Sequence, residues 1–226
     1  MVTLGGDARD AGISTALLAM SWESVARRAI DLTLAALGLL ALALPMLLIG
    51  FLIRCTSDGP ALFRQRRVGL GGRSFTMYKF RSMRDDADDE MLRELIAAEL
   101  RGENTSVNGS FKLDGDPRVT KVGDFLRKTS LDELPQLINV VFGSMALVGP
   151  RPCLEWEARM FPAEFRPRFS VRPGLTGLWQ VSGRSAMGTL EMLHLDLAYV
   201  HTRNLLGDLS ILVRTIPSML KDGSAK

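Results

Sequence analysis

Residues 32–53 read LTLAALGLLALALPMLLIGFLI, an uncharged apolar run with a proline inside it. A run of this length can cross a bilayer core, so the fold must bury it in protein or present it to lipid. It is not a secretory signal: the stretch is too long, begins too late, and is followed by Arg54 rather than a small-residue cleavage site. Pro45 lies well inside the run, where it removes a backbone hydrogen bond, and a helix continuing to Leu44 is expected to bend or break there. Cations stand at both ends, Arg27 and Arg28 before the run and Arg54, Arg64, Arg66 and Arg67 after it. The positive-inside rule therefore finds no asymmetry. Two topologies meet these facts: a kinked span, and a re-entrant helix with both ends on one face. Asp31 has the spacing to pair with Arg27 or Arg28, or to stand as an ordinary helix-surface charge.

The rest of the chain divides simply. Residues 1–21, rich in glycine and alanine at their start, suggest a loose tail; 22–54 form the membrane segment; 55–226 read as one further domain without repeats. Residues 61–68 and 73–83 flank Gly69-Leu70-Gly71-Gly72, a hairpin signal rather than a phosphate loop, because the G-x-G-x-x-G spacing and the following helix are absent. Helices are predicted over 85–101, 121–128 and 135–142, a short strand over 145–148, and helices again over 190–202 and 205–220. In the last of these Leu205, Leu209, Leu212, Ile216 and Met219 recur at helical spacing, which suits either packing or an interfacial helix. The formal charge of +3 permits a mild preference for anionic lipids or substrates. Two cysteines, Cys55 and Cys153, exclude a disulfide framework and read as unpaired thiols.

The chemistry concentrates in residues 116–152, DPRVTKVGDFLRKTSLDELPQLINVVFGSMALVGPRP. Asp132 and Glu133 lie between Arg127 and Arg151 and stand just ahead of Leu134-Pro135, proline being a favourable first residue for a helix. A carboxylate can attack phosphorus and form an acyl phosphate; a second can hold Mg²⁺, which neutralises a diphosphate. The competing reading is a capping box, with Ser130 at the helix start and Glu133 reaching back to it. Arg151, between two prolines, suits bidentate phosphate binding or a structural turn. The segment RPGLTGLWQVSGR at 172–184 ends on a second candidate phosphate ligand, Arg184. Lys79 and Arg81, on one face of the hairpin's second strand, add positive charge. Asp86 and Asp88 match a D-x-D pattern but read as a solvated acidic turn, and His194 and His201 make a weak zinc case.

Taken together, YKFRSM at 78–83, DPRVTKVGDFLRKTSLDELPQL, LVGPRP and RPGLTGLWQVSGRS resemble the bacterial sugar transferase family, the monotopic polyprenyl-phosphate phosphoglycosyl transferases. The resemblance runs from about Trp22 to Leu220. It implies an α/β fold, mostly α with a small β-hairpin, having an N-terminal re-entrant helix broken at Pro45 and interfacial amphipathic helices. It implies transfer of a phosphosugar from a UDP-sugar to undecaprenyl or another polyprenyl phosphate, with Asp132 as nucleophile and UMP released. Glu133 and Asp132 would hold Mg²⁺, while Lys79, Arg81, Arg127, Arg151 and Arg184 would line the substrate site. The implied place is the cytoplasmic face of the bacterial inner membrane, at the first membrane step of exopolysaccharide, O-antigen or glycoconjugate assembly. The expected partners are the bilayer, donor and acceptor, with a homodimer and downstream glycosyltransferases as candidate protein partners and nucleic acid excluded. The chain looks like the minimal catalytic unit, without the extra N-terminal spans of larger members. It departs from the family at Leu44, where a serine commonly precedes the helix-breaking proline.

Overall fold

The computed structural model describes residues 7–83, 90–103, 105, 119–183 and 187–222, with side chains described from 22 to 218 within those ranges. Helix α1 spans Asp7–Ala41 and α2 spans Ala43–Thr56. α1 begins inside the segment whose composition suggests a tail. The apolar run is thus shared by two helices, bent by 60° between residues 22–41 and 43–56; no single described helix is long and apolar enough to cross a membrane.

The break falls at Leu42 rather than at Pro45, which is the third residue of α2. The displacement has a local cause. A proline ring crowds the carbonyl four residues earlier, here that of Ala41, while the proline itself is tolerated in a first helical turn. Disruption is therefore expressed one turn upstream of Pro45. Leu37, Leu40, Leu44, Leu47, Leu48 and Phe51 are all exposed, whereas Ile53 alone in α2 is fully buried. Nothing in the described chain covers this surface, and exposed apolar patches of this kind mark contact with lipid or another protein.

After α2 come antiparallel strands β1 (Leu62–Val68) and β2 (Ser74–Phe80), joined through the turn Leu70–Gly72 and registered Phe63 to Lys79 and Val68 to Ser74. Gly71 and Gly72 both have positive φ, which agrees with the glycine cluster being a turn. Helices α3 (Glu90–Leu100), α4 (Lys121–Lys128) and α5 (Gln136–Phe142) follow. Next are β3 (Ala146–Val148), α6 (Glu155–Met160), a 3₁₀ segment at Ala163–Ser170, β4 (Gly174–Thr176) and α7 (Leu178–Ser182). Helices α8 (Thr189–Thr202) and α9 (Leu205–Asp222) close the order. The chain is mostly helical with little sheet, as expected, but β3 and β4 form a second, parallel pair that periodicity in three-residue strands cannot reveal.

The main core gathers Ala35 of α1, Met77 of β2, Leu137 and Val140 of α5, Leu147 and Val148 of β3, Tyr199 of α8 and Ile211 of α9. Polar side chains lock α1 onto it. Asp31 accepts from the Leu147 backbone N–H at 3.0 Å, and Arg28 donates to the carbonyls of Val140 and Val141 at 2.7 and 2.9 Å. Arg27 pairs with Glu23 and with Asp208 of α9. The expected pairing of Asp31 with Arg27 or Arg28 is absent from the described contacts, because each group has a tertiary partner. α9 packs through one face, where Ile211 is buried, and leaves Leu206, Leu209, Val213 and Ile216 exposed along the opposite stripe.

Candidate active site

The site is assembled where backbones touch, and glycines make the touching possible. A Cβ on Gly123 of α4 would overlap the backbone of Ser82, so this glycine lets α4 sit against the chain leaving β2. Thr120 caps α4 by accepting from Gly123 N–H at 2.9 Å. α4 ends at Lys128, and Ser130 then adopts the left-handed conformation, φ 55° and ψ 17°, the one non-glycine residue with positive φ among the described residues. This strained turn reverses the chain into a 3₁₀ turn, Leu131–Glu133, which carries both acids.

Asp132 is 8% exposed. Glu133 is half-buried and accepts from Lys79 Nζ at 2.8 Å; the same ammonium lies 3.9 Å from Asp132 Oδ2. Burial holds the Asp132 carboxyl above the usual carboxylate range, against the charge of Lys79; Glu133 raises it further and Arg127 opposes. The capping-box reading fails here. Ser130 makes no side-chain cap, Glu133 is turned to Lys79, and α5 begins only at Gln136.

Lys79 is placed by a residue that sequence reasoning passed over. Asn139 of α5 is 3% exposed; its Nδ2 donates to Thr76 O at 2.7 Å and its Oδ1 accepts from Tyr78 N–H at 3.0 Å. In effect one side chain serves the outer edge of β2 as a neighbouring strand would, and fixes the strand residue next to the acids. A polar residue inside the apolar run LINVVF was the available signal.

Opposite the acids lies Arg151. Gly149 and Gly174 allow β3 and β4 to pack backbone to backbone: Gly174 N–H donates to Pro150 O and Gly149 N–H to Thr176 O, both at 2.9 Å, and a Cβ on either would overlap the facing chain. The LVGPRP and RPGLTG segments are thus one unit. Arg151 leaves it exposed, with Cζ 5.5 Å from the Trp179 ring centre and no ion pair among the described residues. A shallow, open cleft is lined by Lys79, Glu133, Gln136, Arg151, Arg67 and Gln180, among others. Arg67, which belonged to no site expected from sequence, is buried; it donates to Pro152 O and Gln65, and burial lowers its pKa to about 10, leaving it charged at neutral pH.

Of the residues expected to bind substrate, the structure therefore brings Lys79 and Arg151 to one cleft with Glu133, and Lys79 reaches to within 3.9 Å of Asp132. Arg127 stands exposed at the end of α4, near enough to act on Asp132 through its charge. Arg81 goes elsewhere. It is 5% exposed and its Nη2 donates to Ser57 O and Oγ, 2.9 and 2.8 Å away, tying β2 to the end of α2. Lying just past the end of β2, it does not share the face on which Lys79 meets the acids. Arg184, Asp86 and Asp88 lie outside the described residues. His194 rests edge-on against Phe165, and no cluster of three metal-ligating side chains occurs among the described residues. Cys55 is exposed and Cys153 is buried, its thiol pushed up by burial; both are free.

Two carboxylates thus share one ammonium near Arg151, which has no ion pair among the described residues. The chain belongs to the bacterial sugar transferase family, whose model matches residues 22–222. It is 42% identical to the galactosyl transferase CpsE of Streptococcus agalactiae over 89% of this chain and 44% of that one. It is 39% identical to the exopolysaccharide production protein ExoY of Sinorhizobium fredii, over 86% of this chain and 85% of that protein. With the UDP-glucose:undecaprenyl-phosphate glucose-1-phosphate transferase of Caulobacter vibrioides it shares 43% identity over 88% of this chain and 71% of the relative. The chain thus spans less than half of CpsE and most of ExoY.

Proposed function

We propose that this protein transfers a sugar phosphate from a UDP-sugar to undecaprenyl or a related polyprenyl phosphate at the cytoplasmic face of a bacterial membrane. One observation carries the reading: Lys79 and Glu133 line one cleft with Arg151, and the Lys79 ammonium that pairs with Glu133 also lies 3.9 Å from Asp132. The names of the relatives, including an undecaprenyl-phosphate galactose phosphotransferase of Salmonella typhimurium, supply donor and acceptor.

In this reading Asp132 Oδ attacks the sugar-bearing phosphorus and the bridging P–O bond breaks, so that UMP leaves and the phosphosugar is held as an acyl phosphate. An oxygen of polyprenyl phosphate then attacks the same phosphorus, the bond to Asp132 breaks, and the carboxylate is restored. The charge of Lys79 favours the anionic form of Asp132, opposing the burial that raises its pKa. Arg151 binds the diphosphate and orients it for in-line displacement. The donor set also fits Mg²⁺, which commonly takes one or two carboxylates and completes its shell with phosphate oxygens and water. Asp132 and Glu133 would hold it, and it would neutralise charge on the diphosphate and the departing nucleotide. α1 and α2 enter the membrane from one side and return, with the bend at Leu42 inside the lipid and the stripe of α9 resting on its surface.

The test is nucleotide release by protein in nanodiscs supplied with Mg²⁺, undecaprenyl phosphate and a panel of UDP-sugars. Wild type should release UMP with its own donor, and Asp132→Asn should release none, since an amide is a poor nucleophile. Release of UDP, or undiminished UMP from the variant, would overturn the reading.

A further inference from the structure

Arg151 is exposed, yet the backbone that carries it is held from beneath by buried charge. Arg168, in the segment Ala163–Ser170, is 2% exposed, and its Nη2 donates to the Arg151 carbonyl at 2.9 Å. The same nitrogen and Nε donate to Asp196 Oδ2 of α8, at 2.5 and 3.2 Å, and Asp196 is also 2% exposed. The rings of Phe161 and Phe169 lie 5.1 and 5.3 Å from Arg168 Cζ, so the guanidinium is fixed by rings as well as by its counter-ion. Next in the chain, the Pro152 carbonyl accepts from buried Arg67 at 3.2 Å. Proline on both sides of Arg151 limits the torsions that could absorb a displacement.

A fully buried ion pair is a poor source of net stability, because desolvating both charges offsets most of their attraction. What it does supply is a donor held at one point. Here that donor is aimed at the main chain of the residue that shares the cleft with Lys79 and Glu133.

We propose that Arg168, fixed by Asp196, is a positioning residue that holds the Arg151 main chain so that the Arg151 guanidinium meets the diphosphate of the donor. The proposal rests on the reading of Arg151 as a diphosphate ligand. Being enclosed, Arg168 touches no substrate, and its whole effect on binding passes through Arg151. Lysine at 168 keeps the charge and its pairing with Asp196 but lacks the planar fork that serves carboxylate and carbonyl together.

The experiment is a double-mutant cycle on the full chain in nanodiscs, using Arg151→Ala, Arg168→Lys and the double variant. UDP affinity is measured by calorimetry, and KM and kcat for the donor are measured separately. Arg151→Ala should weaken UDP binding by roughly tenfold to a hundredfold. Arg168→Lys should weaken it by roughly tenfold, raising KM more than it lowers kcat, and should add less than about twofold when Arg151 is already alanine. If Arg168→Lys does not fold, Asp196→Asn, which removes the counter-ion with little change of shape, takes its place in the cycle. The same loss from Arg168→Lys in both backgrounds, or no loss in either, overturns the positioning role. UDP binding unchanged in Arg151→Ala overturns the diphosphate reading, and the proposal with it.

Discussion

Replacing Asn139 by leucine tests how the site is built, because the two amino acids are similar in size and differ in what they offer β2. Asn139 is 3% exposed and makes three side-chain hydrogen bonds, to Thr76 O at 2.7 Å, from Tyr78 N–H at 3.0 Å and to Ser144 Oγ at 3.1 Å. Leucine leaves a part-buried backbone carbonyl and a part-buried backbone N–H without these partners, each at about 1–3 kcal/mol. The expected loss is therefore about 4 kcal/mol for the pair. In a chain of this size each kcal/mol moves Tm by about 2–4 °C, so Tm should fall by roughly 8–16 °C. Thermal unfolding in nanodiscs, followed by tryptophan fluorescence, measures it. Activity should fall by more than the unfolded fraction explains at a temperature where the variant is still folded, because Lys79 sits one residue beyond Tyr78 and loses its register against Glu133. A Tm within about 2 °C of wild type would refute the argument that this side chain replaces a strand neighbour.

Other substitutions separate stability from chemistry. Burial raises the Asp132 pKa in the folded state, so its ionised form opposes folding, and this opposition is fully present above the folded pKa and relieved as pH falls through it. Asp132→Asn should therefore melt no lower than wild type at pH 7.5 while losing turnover; a lower Tm would show the carboxylate to be a net structural support. Arg81→Met should lower Tm, since Ser57 O and Oγ lose their donor, and should leave KM for the donor within about twofold; a larger KM change would restore Arg81 to the substrate site. Leu44→Asp with Leu47→Asp changes side chains 67% and 71% exposed, so Tm of the remaining fold should hold within about 0.5 kcal/mol equivalent, while retention on liposomes in flotation assays should drop. Unchanged flotation would remove the helix pair from the lipid contact.

What the sequence revealed and what it concealed follow the range of the forces involved. The hairpin, α4 and α9 were legible because turn glycines and helical periodicity act within a few residues. The break in the apolar run was legible as an event but not in place: Pro45 supplies the cause, and its effect falls at Leu42. The acids were legible from motif resemblance, whereas their geometry was not. Ser130-Leu131-Asp132-Glu133 satisfies a capping pattern, which gives no sign that the ammonium of Lys79 arrives from β2 to pair with Glu133. Arg81 shows the converse error. Strand periodicity assigns Lys79 and Arg81 to one face, but β2 ends at Phe80 and the chain beyond it follows Ser57 and α4.

The contacts of α1 explain why the apolar helix pair and the candidate site form one structure rather than two parts joined by a link. Arg28 holds the carbonyls at the end of α5, and α5 holds β2 through Asn139, with Lys79 at the end of that chain of contacts. Three residues further along α1, Asp31 holds Leu147 of β3, and β3 runs directly into Gly149-Pro150-Arg151. The two sides of the cleft are therefore bolted to neighbouring turns of one helix, whose next turns carry the uncovered leucines. A shift of α1 along its axis must carry Lys79 and Arg151 with it, since these buried polar contacts are costly to break. The height of Lys79 and Arg151 above the apolar surface is fixed by the same residues that fix their separation, which is what the proposed transfer from a water-soluble donor to a lipid-borne acceptor would require.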